Sequence, residues 1–205
     1  EYKPGTPSWV DLQTADIDKG AEFYTKLFGW DTMDLGPDAG GYRFFTKGGK
    51  LVAGGGPKMM DEAPSNWMTY VAVSDADETA KKVAEAGGKV LAPPMDVMTA
   101  GRMAVFADPT GAVFGIWQAK DHKGAQVANE PDSWGWSELQ TRDADKAKGF
   151  YQSVFGWTAS TFSPVKWCCS RTWEATRARR GTMRIWREKW PRYATCMSWM
   201  PSERH

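Results

Sequence analysis

Two carboxylates with matching neighbours are the residues of this chain best placed to do chemistry. Asp11 lies in Trp-Val-Asp-Leu-Gln at 9–13, and Glu138 lies in Trp-Ser-Glu-Leu-Gln at 136–140. In an extended strand alternate side chains share a face, so Trp9, Asp11 and Gln13 stand on one side and Val10, Leu12 and Thr14 on the other. The second stretch repeats the polar side as Trp136, Glu138 and Gln140. Two carboxylates facing one pocket repel each other and lose water, which raises one pKa and supplies a general acid or base. The alternative is that both bond neighbouring strands or solvate an open sheet face.

The elements that position them are themselves repeated. Residues 9–30 and 136–157 are identical at 12 of 22 positions, which marks an internal duplication. In each copy a strand gives way to an apolar pattern of helical period. Asp16 is the expected N-cap and Gly29 the expected left-handed stop, with Phe23 and Leu27 on the buried face and Gly20 one turn earlier. Asp143, Ala147, Phe150, Val154 and Gly156 repeat those roles. Phe23, Tyr24 and Phe28 read as core packing.

Short strands are expected at 30–34, 42–47 and 51–54, between the turns Gly40-Gly41 and Gly48-Gly49. The order is βαβββ. A second round follows, with a strand at 67–73, a helix at 76–86 capped by Asp75, and strands near 90–92, 102–107 and 113–118. Asp108-Pro109-Thr110-Gly111 is a tight turn between the last two. Gly54-Gly55-Gly56 is not followed by a helix start, so it does not read as a phosphate loop.

Composition bounds the rest. The chain has 205 residues, 41% hydrophobic and 25% charged, and lacks an apolar run near the ~18 residues of a membrane-spanning helix. Residues 1–7 lack the basic and apolar regions of a signal peptide, so a cytoplasmic protein without membrane contact is expected. The formal net charge of +1 hides two unlike parts, about −6 over residues 1–162 and +7 over 163–205. The last segment also holds Cys168, Cys169 and Cys196, five tryptophans and the single glycine Gly181. With no cysteine in the well-patterned part, a disulfide framework is not expected.

The run Asp-x-x-x-(Gly or Ala)-x-x-Phe-Tyr-x-x-(Leu or Val)-Phe-Gly-Trp, followed by Val73-Ser74-Asp75-Ala76-Asp77 and Phe106-Ala107-Asp108-Pro109-Thr110-Gly111, resembles the vicinal oxygen chelate superfamily of glyoxalase, bleomycin resistance and dioxygenase type. The match is to its two-module bacterial branch. The resemblance implies an α+β fold of paired βαβββ repeats forming a cupped mixed sheet that binds a small molecule or a divalent metal. The implied organisation is a first module at 7–119, a linker at 120–132, the start of a second module at 133–162, and an atypical tail at 163–205. The tail lacks the period, the glycines and the Asp-Pro-x-Gly turn that the pattern calls for, and reads as an out-of-frame translation of a longer gene or a gene-model error. As a basic aromatic segment for nucleic acid it shows no recognisable motif.

The positions where the resemblance implies metal ligands hold Trp9, Trp136, Met68 and Gly115, none of which offers an imidazole, carboxylate or thiolate donor. The only histidines, His122 and His205, fall in the linker and at the end, so a histidine-based site in the first module is not expected and no cofactor is called for, short of a divalent ion held by oxygen ligands alone. In the implied cup, Asp11 and Glu138 are the candidate catalytic residues. Trp9, Gln13, Met68, Tyr70, Trp117, Trp136 and Gln140 are the candidate ligand contacts, and Met59-Met60 is a loop that could close over them. The expected ligand is a small oxygen-rich or aromatic metabolite. Two functions fit, a lyase, isomerase or hydroxylase without the usual metal site, and a binder that sequesters its ligand without turning it over. Exposed strand edges left by an incomplete second module point to a homodimer.

Overall fold

In the computed structural model the chain is described at residues 1–59, 62–162, 183–186 and 195–199. The first copy of the repeat begins with β1 (Pro7–Thr14), which hands over to α1 (Ile17–Phe28) at Asp16. The Asp16 carboxylate accepts from the Lys19 amide at 3.0 Å, satisfying one of the four amides a helix start leaves unpaired. Gly29 closes the helix at φ 66°, where a Cβ would be strained. Then come β2 (Asp31–Asp34), β3 (Arg43–Lys47) and β4 (Lys50–Pro57). The second unit repeats the order as β5 (Asn66–Ala72), α2 (Ala76–Glu85), β6 (Lys89–Val97), β7 (Gly101–Ala107) and β8 (Val113–Ala119).

These strands form one eight-stranded mixed sheet in the order β2-β3-β4-β1-β5-β8-β7-β6. The two units meet where β1 pairs antiparallel with β5, setting Trp9 opposite Tyr70 and Asp11 opposite Met68. Each unit closes on a parallel pair, β1 with β4 and β5 with β8. The sheet therefore has one face packed on α1 and α2 and one free of helices. Val10, Ala21, Phe45 and Val52 fill the space under α1, and Val83, Phe106, Phe114 and Ile116 that under α2. Each of these valine, isoleucine and phenylalanine side chains contributes about 1.5–3 kcal/mol by leaving water.

The second copy continues with β9 (Ser137–Thr141), α3 (Ala144–Phe155) and β10 (Ala159–Phe162). Asp143 caps α3 and Gly156 ends it at φ 69°, as in the first copy. Two further strands, β11 (Met183–Trp186) and β12 (Thr195–Trp199), lie in the segment from which no regular elements were expected. They build a four-stranded sheet in the order β10-β11-β12-β9, the counterpart of β2-β3-β4-β1. Their directions differ, however: β12 runs antiparallel to β9 and β11 parallel to β10, whereas β4 runs parallel to β1 and β3 antiparallel to β2. The remaining expectations for the tail, and for Met60, lie outside the described residues.

One expectation about the core is corrected. Phe23 and Leu27 are 58% and 56% exposed. Helix α1 turns Ala21 and the half-buried Tyr24 and Phe28 inward instead, and a Cβ at Gly20 would come within 2.8 Å of Leu12. In α3 the matching Phe150 and Val154 are buried, because α3 packs on α2 and Phe114.

The stretch between the modules is not a free linker. Ala125 donates its amide to the Ser8 carbonyl at 2.8 Å, Gln126 to Leu51 at 2.7 Å, and the Tyr2 hydroxyl donates to the Ala125 carbonyl at 2.8 Å. Residues 120–127 are thereby strapped to the first module. No helix among the described residues is long and apolar enough to cross a membrane.

Candidate functional site

The helix-free face of the large sheet collects most of the residues that the sequence singled out. Trp9, Asp11 and Gln13 come from β1, Met68 and Tyr70 from β5, and Trp117 from β8, and all six are buried. Trp9, Met68, Tyr70 and Trp117 form one packed cluster with Met103 and Val105.

Asp11 is the chemical centre of this face. Gln13 donates its amide nitrogen to Asp11 Oδ1 at 2.9 Å, and the Tyr42 hydroxyl lies 3.5 Å from Oδ2. The Tyr70 hydroxyl lies close enough to favour the charged carboxylate as well. Burial dominates these bonds, which favour the charged form, so the Asp11 pKa is pushed up to about 6. Burial and the adjacent Asp11 charge hold both phenols, Tyr42 and Tyr70, well above their ordinary value. The result is a carboxyl that exchanges a proton near neutrality beside two hydroxyls that keep theirs. The Trp9 indole nitrogen donates to the Tyr42 oxygen at 3.0 Å, and Gln13 Oε1 accepts from the Met59 amide at 3.3 Å, tying the neighbouring loop to the site.

Two residues here were not read from the sequence. Tyr42, just ahead of β3, reaches Asp11 by lying across Gly54 of β4, where a Cβ would run into its hydroxyl. His122, placed by the sequence in a linker, instead packs its imidazole edge-on against Trp9 at 4.4 Å and lies near Phe44 and Trp117. Its Nε2 is buried without a hydrogen-bond partner among the described residues, and burial pushes its pKa down to about 4, so it is neutral at pH 7. The signal for Tyr42 was present: glycine inside a strand marks a close approach by another group.

Glu138, Trp136 and Gln140 stand elsewhere, so the shared pocket expected for Asp11 and Glu138 is not formed. Glu138 is exposed on β9, accepting from Trp136 Nε1 at 3.3 Å and from Gln140 Nε2 at 3.2 Å. Ser137 bonds Thr69 at 3.0 Å, which sets β9 against the helix-bearing face of the first module. Trp136 and Glu138 border a cavity of about 370 Å³ there together with Val10, whose side chain points away from Asp11.

The sequence profile described as Glyoxalase/Bleomycin resistance protein/Dioxygenase superfamily matches residues 6–116. The chain belongs to this superfamily. An anthracycline biosynthesis protein, DauV of Streptomyces sp. (strain C5), is 44% identical over 170 residues, covering 76% of this chain and 62% of its own length. CFP32 of Mycobacterium tuberculosis (strain CDC 1551 / Oshkosh), which carries a glyoxylase name, is 44% identical over 169 residues, covering 78% of this chain and 64% of its own. The chain thus spans a little over three fifths of the length of these relatives. Among solved structures, the Mn(II)-bound glyoxalase from Novosphingobium aromaticivorans superposes with a TM-score of 0.55 at 22% identity, over 78% of this chain and 55% of that one. A variant of 4-hydroxymandelate synthase from Streptomyces coelicolor gives 0.51 at 13% identity, over 76% and 54%. At such identities the likeness concerns the fold alone, the α+β mixed sheet of βαβββ units.

The positions where the resemblance implied metal ligands are Trp9, Met68 and Gly115 on this face. Trp9 and Met68 offer no hard donor, and a side chain at Gly115 would run into the Tyr70 ring. Among the described residues no three His, Cys, Asp or Glu side chains gather as a metal site.

Proposed function

We propose that this superfamily member binds a small oxygen-rich or aromatic metabolite on the helix-free face of its first module, with Asp11 exchanging a proton with it in a lyase or isomerase reaction. The observation that carries this reading is the buried Asp11 carboxyl at about 6, held between one amide and two phenols. An acid–base group works best with a pKa near the working pH. As carboxylate, Asp11 takes a proton from a carbon beside a carbonyl, and the negative charge moves to the carbonyl oxygen. The protonated Tyr42 and Tyr70 hydroxyls are the donors suited to that oxygen. Returning the proton to a neighbouring atom completes an isomerisation and restores the carboxylate. The rings of Trp9, Phe44 and Trp117 favour a flat ligand, as does the relatives' naming for anthracycline biosynthesis.

A second reading is a binder without turnover. It is favoured by the absence of donors at Trp9, Met68 and Gly115. Asp11→Asn separates the two. In an enzyme the variant loses about 100-fold or more in kcat while ligand affinity stays within a few fold. A parent protein that binds but never converts its ligand supports the binder and ends the catalytic reading.

A further inference from the structure

We infer that His122 is a specificity-determining residue of the Asp11 face, and that its Nε2 accepts a hydrogen bond from a hydroxyl on the edge of a flat aromatic ligand. The inference rests on the reading that the ligand lies on this face, and it narrows the ligand class to hydroxylated aromatic rings.

The segment that carries His122 holds it in place from both sides. Its amide donates to the Ala100 carbonyl at 3.0 Å, and its carbonyl accepts from Trp117 Nε1 at 2.8 Å. Further along, Gly124 sits at φ 102°, where a Cβ would come within 2.5 Å of the Ser8 carbonyl oxygen, so only glycine lets the strap lie this close to β1. The imidazole is thereby set among the rings of Trp9, Phe44 and Trp117, with centroids at 4.4, 5.4 and 5.6 Å. Rings so placed suit a flat aromatic guest.

The polar groups around it are already committed. Trp9 Nε1 is given to the Tyr42 hydroxyl and Trp117 Nε1 to the His122 carbonyl. Gln13 is used at both ends, by Asp11 and by the Met59 amide. His122 Nε2, in contrast, is buried without a partner among the described residues. Buried polar atoms are nearly always paired, and an orphan calls for an explanation. A ligand that supplies the missing partner is one.

The chemistry of the nitrogen selects that partner. Burial keeps the imidazole neutral at pH 7, so one nitrogen carries a proton and the other a lone pair. An unpaired N–H is rarer in protein interiors than an unpaired acceptor. The proton is therefore assigned to Nδ1 and the lone pair to Nε2, which calls for a donor from the guest. A hydroxyl on the ring provides it, whereas an ether or a bare ring edge does not.

The test titrates the full chain with two fluorescent probes of similar shape, 2-naphthol, which has the donor, and 2-methoxynaphthalene, which lacks it. The parent is expected to bind 2-naphthol about five- to ten-fold more tightly. His122→Phe keeps a ring in place, holds 2-methoxynaphthalene within about two-fold of the parent and abolishes the preference. His122→Gln, whose amide oxygen is again an acceptor, restores part of it. The ¹⁵N signal of His122 Nε2 is expected to move upfield with 2-naphthol and not with 2-methoxynaphthalene. Both probes should move the Asp11 carboxyl ¹³C signal, which places them on this face. Circular dichroism checks that each variant is folded. A hydroxyl preference that survives His122→Phe, or an Nε2 signal indifferent to 2-naphthol, overturns the role of His122 while the Asp11 response still supports the face as the ligand site. Probes that bind without moving the Asp11 signal, or that do not bind the folded parent, overturn the site and this inference together.

Discussion

The strand triplet of tryptophan, carboxylate and glutamine occurs twice, and its two copies sit in opposite surroundings. Around Asp11 the triplet is buried, the tryptophan turns its indole nitrogen to Tyr42, and the phenols of Tyr42 and Tyr70 close on the carboxylate. Around Glu138 the carboxylate and the glutamine are exposed, the tryptophan is half-buried, and it bonds the carboxylate directly. The helices that follow are reversed in the same sense. Phe23 and Leu27 on α1 face solvent, while their counterparts Phe150 and Val154 on α3 are buried against the first module. Sequence identical at 12 of 22 positions has thus been given one buried polar strand with an open helix, and one more exposed strand with a buried helix. The residue types set what each copy can do, and the neighbours that cover it decide whether it does so.

The helix pair gives the largest effect. Phe150→Ala removes a side chain packed against Phe114 and is expected to cost about 3–5 kcal/mol in urea unfolding. Phe23→Ala, at the matching exposed position, is expected to stay within about 0.5 kcal/mol. Equal costs for the two would show that α1 is covered in solution and would dissolve the contrast between the helices.

The strands give the next largest, read through pH. Asp11 rises from 3.8 to about 6 on folding, so its contribution to stability is greatest below 3.8 and falls as pH rises toward 6. By linkage this amounts to on the order of 2–3 kcal/mol at neutral pH. His122 is lowered from 6.5 to about 4, so its contribution is present above 6.5 and is lost as pH falls toward 4. The two slopes oppose each other and leave the parent protein nearly flat between pH 4 and 6.5. Asp11→Asn removes one of them. The variant should gain stability relative to the parent at pH 7, and should lose stability steadily on acidification, as only the histidine slope remains. A variant with the parent's flat profile would mean that neither group is buried as described.

Much of this architecture was legible in the residues themselves. Asp16, Asp75 and Asp143 cap the helices that their positions announced, and Gly29 and Gly156 end two of them in the left-handed conformation. Strand alternation placed Trp9, Asp11 and Gln13 on one face correctly, because that geometry is local. What could not be read was tertiary. The helical period of α1 contains two apolar stripes, and only the close approach of Gly20 to Leu12 decides that Tyr24 and Phe28 turn inward rather than Phe23 and Leu27. His122 looked like linker because nothing near it in sequence shows that residues 120–127 fold back onto Ser8 and Leu51. The separation of Asp11 from Glu138 has the same origin. Both stand on the predicted face of their own strand, but β9 packs against the far side of the first sheet.

The central claim is that Asp11 is a buried acid–base group poised near neutrality, and the carboxyl carbon of Asp11 reports it directly. Its ¹³C chemical shift, followed from pH 3 to 8 in labelled protein and assigned by its loss in Asp11→Asn, is expected to titrate with a midpoint near 6. A midpoint at the ordinary value near 4 for an aspartate would contradict the account and leave the first module's face without its proposed base.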